Sequence, residues 1–343
     1  MLQAYRAFDG ETSRVVPPRP ATDGELCLFH TPDYVAAVRC LSQGEPGVDP
    51  ARYNFGPGDN PIFPGMFQSE SLKVGAALVG VELLLTGETD IAFSFAGGLH
   101  HARPNRASGF CVFNDPAIAI YRLLDAGLRV AYVDIDAHHG DGVQAAFYGT
   151  DRVLTISLHE TGATLFPGTG FMDELGERAG YGYSVNFPFP PYTDDESYLE
   201  AFRALVPPLV HRFTPDVVVS QLGCDTHWRD PLTHMNLTTH AYEAVVREIK
   251  PLAPRWLALG GGGYDLSVVA RAWTLAYGVM LEREFPDELP RALECPEGVA
   301  GYELGRLRDQ RMPFIAEDTR HHVRKIVAAQ INHLRQVLDL SAS

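Results

Sequence analysis

Residues 130–142 read VAYVDIDAHHGDG, a short run of β-branched and aromatic residues that gives way to three carboxylates and two imidazoles between Asp134 and Asp141. An apolar run of this kind reads as a buried strand, and its polar end as the point where the strand leaves the sheet. Alternate residues of an extended segment share a face, so Asp134, Asp136 and His138 are expected to point the same way. A carboxylate and an imidazole two residues apart can chelate one divalent ion. Hydrolytic chemistry is therefore the first expectation.

Outward from this strand the pattern alternates. Upstream, 69–86 has helical spacing, 91–95 is a short strand ending in Gly97, Gly98 and His100, and 116–126 is a helix leading into the strand 130–135. Downstream, a helix over 142–148 precedes a strand over 153–158, and a glycine-rich loop and the proline-rich YSVNFPFPPYT follow. Then come a helix near 195–213, a strand over 217–222, a helix over 240–252 and a strand over 256–259 that runs into Gly260, Gly261, Gly262, Gly263 and Tyr264. The chain opens with helix-like spacing, turns at VPPRP and enters HTPDYVAAVRCL, where Thr31 or Asp33 can cap a helix. Residues 44–68, with GPGDNPIFPGMF, read as a long ordered surface loop fit for a binding rim. The spacing over 317–340 predicts a closing helix with basic residues early in it. The expected fold is α/β: a single domain over 1–343, with 1–25 as a partial N-terminal element and three layers built on a central, mainly parallel sheet flanked by helices. Such sheets place ligands outside the carboxyl ends of their strands.

Composition narrows the function. A chain of 343 residues, 45% apolar and 21% charged, can bury one large core. The formal charge of -15 argues against direct binding of nucleic acid or an anionic bilayer and favours neutral or basic partners. Cys27, Cys40, Cys111, Cys224 and Cys295 are odd in number and contain no CxxC pair, which reads as reduced thiols in a cytoplasmic protein. The opening MLQAYRAFDG lacks a signal-peptide core, and the apolar run 74–85 is too short to span a bilayer.

Three further clusters close strands. Adjacent histidines such as His100 and His101 are by themselves weak evidence, since satisfied core or surface histidines look the same. Asp134 and Asp141 supply one acid for each imidazole, and a carboxylate on the far ring nitrogen fixes the tautomer and raises basicity. For Asp136 and His138, burying so many acids at a strand end without a cation would be costly. A third ligand is sought in QLGCDTHWRDP, where Asp225, His227 and Asp230 compete. The glycine run before Tyr264 lacks the GxGxxG pattern of a dinucleotide loop and reads as a flexible turn that swings one phenol over the metal to donate to an oxyanion. Phe110 in SGFCVF and Phe166 in LFPGTG are either packed loop aromatics or walls of an apolar channel. His159, His211, His234, His240 and His333 read as structural.

Together GGLHHA, ASGFCVFND, VDIDAHHGDG, LFPGTG, DTHWRDP and GGGGY resemble the histone deacetylase family, closest to its class I branch and there to the bacterial acetoin utilisation deacetylases. The resemblance implies the arginase/deacetylase fold. It implies a metal held by Asp136, His138 and Asp230, a catalytic pair His100 and His101 with Asp134 and Asp141 as partners, and Tyr264 as the carbonyl-polarising phenol. Gly109, Phe110 and Phe166 would line an acetyl-lysine tunnel, and Asp59 would hold the substrate backbone at the rim. Two monovalent cation sites, for K+ or Na+, are implied as well: one at Asp134, Asp136, His138, Ser157 and Leu158, the other at Phe147, Thr150, Val153 and Tyr183. Position 140 is Gly, which disfavours the two-metal site of arginase-like relatives. Two departures stand out. Arg229 replaces a usual glycine before the last metal ligand, and relatives begin with an extra strand and a basic segment.

The expected activity is zinc-dependent hydrolysis of ε-acetyl-lysine on a protein, releasing acetate, with His101 as general base; the ligand types also suit ferrous iron. The bacterial resemblance points to a metabolic enzyme such as an acyl-CoA synthetase as the substrate. The alternatives are hydrolysis of small acetylated amines such as acetylpolyamines, and a binding module that recognises acyl-lysine without turnover.

Overall fold

Six stretches rich in β-branched and aromatic residues form strands: β1 (Ile91–Ser94), β2 (Val130–Asp134), β3 (Val153–Glu160), β4 (Ser184–Phe189), β5 (Val217–Gln221) and β6 (Trp256–Leu259). They make one sheet in the order β1-β6-β5-β2-β3-β4, and every pairing is parallel. The computed structural model describes residues 1–290 and 305–340. Parallel strands need crossovers, and four helices lie in them, α4 (Asp115–Asp125), α5 (Asp141–Phe147), α6 (Asp195–Phe213) and α7 (Thr239–Ile249), while α3 (Met66–Thr86) precedes β1 and α8 (Leu266–Met280) and α9 (Glu317–Val337) follow β6. Two earlier helices, α1 (Asp23–Leu26) and α2 (Pro32–Gln43), lie before α3. Thr31 is the residue before α2, though its side chain makes no capping bond.

Side-chain alternation sorts the core into two layers. Val130, Tyr132, Val217, Val219, Leu257 and Leu259 pack against α3, α4 and α5, while Ala131, Val133, Ile156, Val218 and Ala258 face α6, α7, α8 and α9. Trp256 is buried, and its Nε1 donates to Ser220 Oγ at 2.8 Å, so its one polar atom is satisfied. Both faces are covered, which is why the strands read as unbroken apolar runs.

The order of strands sets the site. From β2 the chain steps outward through β3 to β4, then returns to the other flank of β2 as β5 and β6. The carboxyl ends of β2 and β5 therefore lie side by side where the winding reverses, the place where open parallel sheets bind ligands.

One local reading is corrected and two elements are added. Residues 2–6 form turns rather than a helix: one turn closes with Tyr5 N–H donating to Met1 O at 3.2 Å, and Arg6, at φ 50°, ends it. The proline-rich 184–189 is a strand, β4, in which Pro188 is tolerated because β4 is an edge of the sheet. Helix α8 had no counterpart in the sequence reading, although Asp265 caps it by accepting from the N–H of Ser267 at 2.9 Å.

Candidate active site

β1 ends in a turn that delivers both histidines. Asp115, buried at the start of α4, accepts the N–H of Gly98 and of Leu99, each at 2.9 Å, and Asn114 Nδ2 donates to the carbonyls of His100 and Ala102. His100 and His101 are thereby fixed through their backbone. Their rings are fixed by the acids the sequence offered: His100 Nδ1 lies 2.8 Å from Asp134 Oδ2, and His101 Nδ1 2.8 Å from Asp141 Oδ1. The remaining nitrogens face each other, Nε2 to Nε2, at 3.0 Å, so one proton sits between the two rings.

Electrostatics assigns that proton. Burial opposes charge on His100, but the carboxylates of Asp134 and Asp136 outweigh it and hold the ring up at about 9. His101 is pushed down to about 3 by burial and then by the charge on His100, against the pull of Asp141. At neutral pH His100 is the cation and His101 the neutral ring. Two partners were invisible in the sequence: Tyr132 donates to Asp134 Oδ2 at 2.7 Å, and Arg103 donates to Asp141 Oδ2 at 2.6 Å.

Beside this pair lies the metal-ligating group. Asp136, His138 and Asp225, all buried, present one oxygen or nitrogen each within 4.8 Å of one another. His138 Nδ1 faces Asp225 Oδ2 at 2.9 Å and Asp136 Oδ1 at 3.1 Å. Ligands about 2.0–2.2 Å from one ion in a tetrahedral site are roughly 3.4 Å apart, so the set has the spacing one small divalent cation requires. Asp136 Oδ2 is spent on Gln221 Nε2 at 2.6 Å and Gly262 N–H at 2.8 Å, and Asp225 Oδ1 on Ala137 N–H at 2.7 Å. These bonds leave Asp136 Oδ1 and Asp225 Oδ2 turned toward the imidazole. Burial and then the charge of Asp136 push Asp225 up to about 7. Burial also opposes ionisation of Asp136, yet the charges of His100 and His138 hold it well below the usual carboxylate range. His138, against burial, is held up at about 11 by Asp136 and Asp225. The trio shares protons as one unit in want of a cation.

Asp230, the third ligand that the family resemblance implies, stands beside this group at the same site: burial pushes its carboxyl above the ordinary range, with the charge of Asp136 adding to this and that of His138 opposing it, and its oxygens accept the N–H of Leu232 at 2.9 Å and of Tyr264 at 2.8 Å. Asp225 is placed there by its neighbour. Cys224 N–H donates to Gly262 O at 2.8 Å, which fixes the chain just after β5 over the end of β2, and Asp225 is the next residue.

The glycine run has a packing reason. A Cβ at Gly262 would collide with Asp225 Oδ2 and come to 2.8 Å from Asp136 Oδ2, and one at Gly263 would come to 2.7 Å from Cys224 Sγ. The glycines let the backbone lie against the ligands. They end at Tyr264, whose phenol burial pushes well above its ordinary range, so it stays a donor. Its ring is 6.5 Å from that of His138 and 5.9 Å from Phe110. Phe166 stands 5.0 Å from the His101 ring, and both Phe110 and Phe166 are exposed at the mouth. Gly109 sits between them at φ 51°, where a Cβ would come to 2.5 Å from His101 Cδ2 and 2.8 Å from Phe166. Asp59 is exposed in the loop before α3.

The residues expected to hold monovalent ions are partly brought together. Asp134 and Ser157 pair in register across β2 and β3. Thr150 N–H donates to Phe147 O at 3.2 Å just before Val153 opens β3, and Thr155 N–H donates to Tyr183 O at 2.8 Å. His159, taken as structural, is buried between Ser157 Oγ at 2.8 Å and Gly170 O at 2.9 Å.

Residues 1–280 match the model of the histone deacetylase domain. The chain belongs to the histone deacetylase family. Within that family it is similar to the acetoin utilization protein AcuC of Bacillus subtilis, 44% identical over 300 residues that span 84% of this chain and 77% of that one. It is equally similar to AcuC of Staphylococcus aureus strain MSSA476, at 44% over 278 residues, 79% of this chain and 72% of that one. Among solved structures, an HDAC homolog from Aquifex aeolicus superposes with a TM-score of 0.86 at 34% identity, covering 97% of this chain and 91% of that one; an HDAC homolog complexed with SAHA matches equally well. The arginase/deacetylase fold and the bacterial acetoin-utilisation type are thus established for this family member.

Proposed function

We propose that the protein is a metal-dependent amidohydrolase that removes the acetyl group from ε-acetyl-lysine of protein substrates and releases acetate. The observation that carries the reading is the adjacency of a doubly braced histidine pair, a buried Asp136–His138–Asp225 group and a phenol kept protonated at the same mouth. A binding module has no use for the braced pair.

Asp136, His138 and Asp225 would hold the ion, with Asp230, which the family resemblance implies as a ligand, at the same point; zinc is favoured by ligand type, and ferrous iron is also suited. When bound, it supplies a Lewis acid that polarises the acetyl carbonyl and lowers the pKa of water from about 15.7 toward ~7. His101, neutral and free of a metal bond, takes the proton from the attacking water, with Asp141 and Arg103 holding its far nitrogen. His100, already charged, stabilises developing negative charge, and a histidine proton leaves with the amine. Tyr264 donates to the acetyl oxygen as charge builds there. Phe110 and Phe166, with Gly109 between them, form an apolar entrance that fits a lysine stem, and Asp59 reads as a rim contact for the peptide backbone. The two monovalent sites, K+ or Na+, would brace the loops behind β2 and β3. We place the enzyme in the cytoplasm as one domain; among the described residues no helix is long and apolar enough to cross a membrane.

A fluorogenic ε-acetyl-lysine peptide and free acetylpolyamines, given to zinc-loaded protein with and without chelator, test the reading. Chelator-sensitive turnover of the peptide, exceeding that of the polyamines, is expected. Turnover confined to polyamines would move the substrate to small amines, and turnover of neither with metal bound would leave a binding module.

A further inference from the structure

Asp309 is a buried carboxylate that the chemistry described so far leaves unused. The chain leading to it is fixed: Leu307 is fully buried, and Arg308 binds Glu243 of α7 through Nε at 2.7 Å and Asp287 through Nη1 at 3.0 Å. Asp309 itself is a hub. Its N–H donates to Thr239 Oγ1 at 2.8 Å, and its Oδ1 accepts from Arg271 Nη1 of α8 at 2.8 Å. Its Oδ2 accepts two donors from different segments, Thr239 N–H at the start of α7 and His227 Nε2, each at 2.8 Å.

His227 belongs to the loop after β5 that carries Asp225 and Asp230. Its Nδ1 accepts the N–H of Arg229 at 3.2 Å, which leaves the ring proton on Nε2 for Asp309. Its own N–H donates to Cys224 O at 3.2 Å, and its carbonyl accepts the N–H of Asp230 at 2.8 Å. One residue therefore ties the loop at 224, 229 and 230, and that residue is held from outside the loop by a carboxylate 82 positions later. Pairing Arg271 alone would occupy one oxygen of Asp309; the other is spent on the imidazole and on α7.

We infer that Asp309 is a positioning residue for the metal-bearing loop after β5, acting through the His227 ring. The inference rests on the proposed metal site. A buried carboxylate holds an N–H donor more firmly than a neutral acceptor does, and the outer partners that orient a metal site typically control its affinity by roughly 10 to 100-fold.

Zinc affinity, read by competition with a chelator, tests this together with the visible absorption of cobalt-loaded protein, which reports ligand geometry without turnover. Asp309→Asn and His227→Ala should each weaken zinc binding by roughly 10 to 100-fold and shift the cobalt bands. The double variant should bind less than about 3-fold more weakly than either, because the two residues act through one bond. His227→Gln, whose amide N–H takes the place of Nε2–H, should stay within about 3-fold of the wild type with the cobalt bands in place. Wild-type zinc affinity and unmoved bands in Asp309→Asn would overturn the inference, as would single losses that multiply in the double variant, or a His227→Gln protein as weak as His227→Ala. The comparison of His227→Ala with His227→Gln decides the matter if Asp309→Asn does not fold. A wild type that binds zinc but is inactive on every acetylated amine would defeat the functional reading and leave this one to the metal measurements; a wild type that binds no zinc would defeat both.

Discussion

A Cβ at position 140 would lie 2.5 Å from Asp134 Oδ2 and 3.2 Å from His100 Nδ1, so this glycine is the space in which the first histidine and its acid meet. Gly140→Ala is expected to push the two apart and lower kcat by about 100-fold or more while the protein stays folded; a thermal melt beside the assay checks both halves. His101→Ala and Tyr264→Phe should each cost roughly 100 to 1000-fold in kcat, read with the metal content unchanged. The two histidine–acid pairs were legible in the sequence because each acid stands within a few residues of a strand end whose direction the apolar run already gives. The residues alone did not separate Asp225, His227 and Asp230 as third ligand, because their order along one loop does not say how each side chain meets β2. The bond between Cys224 N–H and Gly262 O, made across 38 residues of chain and without a side chain, brings Asp225 there, and Asp230 is tied to the Tyr264 N–H.

At the scale of elements, period and length made most strands and helices readable to within a few residues. The exceptions share a cause. β4 carries Pro188, a residue that argues against a strand until its place at the edge of the sheet is known. α8 is apolar on almost every side because it is buried against the sheet and α7 at once, so the one-sided stripe that marks an amphipathic helix is missing. The closing helix α9 was legible by its stripe, and its buried Val323, Val327, Ile331 and Leu334 face α6. Its contribution is packing at a distance from the chemistry. Leu334→Ala should therefore destabilise the protein by about 2–5 kcal/mol, read as a lower denaturant midpoint, with kcat at low denaturant unchanged.

For the molecule as a whole, stability and the site meet at His30. Its Nδ1–H donates to Arg103 O at 3.0 Å and its Nε2 accepts the N–H of Asn114 at 2.9 Å, the residue that holds the carbonyls of His100 and Ala102. Burial pushes His30 down to about 4 from an ordinary 6.5. The unfolded chain binds this proton first, so the stability that neutral His30 contributes is present above about pH 6.5 and lost as pH falls toward 4, an amount of roughly 3 kcal/mol. Urea midpoints at pH 7 and 4.5 should accordingly converge more closely in His30→Gln than in the wild type. The alternation of strands and helices implied a parallel sheet but not its strand order; the reversal of winding between β2 and β5 places both metal-bearing loops at one point. The central claim is that Asp136, His138 and Asp225 hold one catalytic ion there. Zinc bound per chain after dialysis, measured for the wild type, His138→Ala and Asp225→Ala alongside acetate release from an ε-acetyl-lysine peptide, tests it most directly. The account predicts about one zinc per wild-type chain, and loss of both metal and turnover in His138→Ala and Asp225→Ala. Variants that keep their zinc and their activity would contradict it.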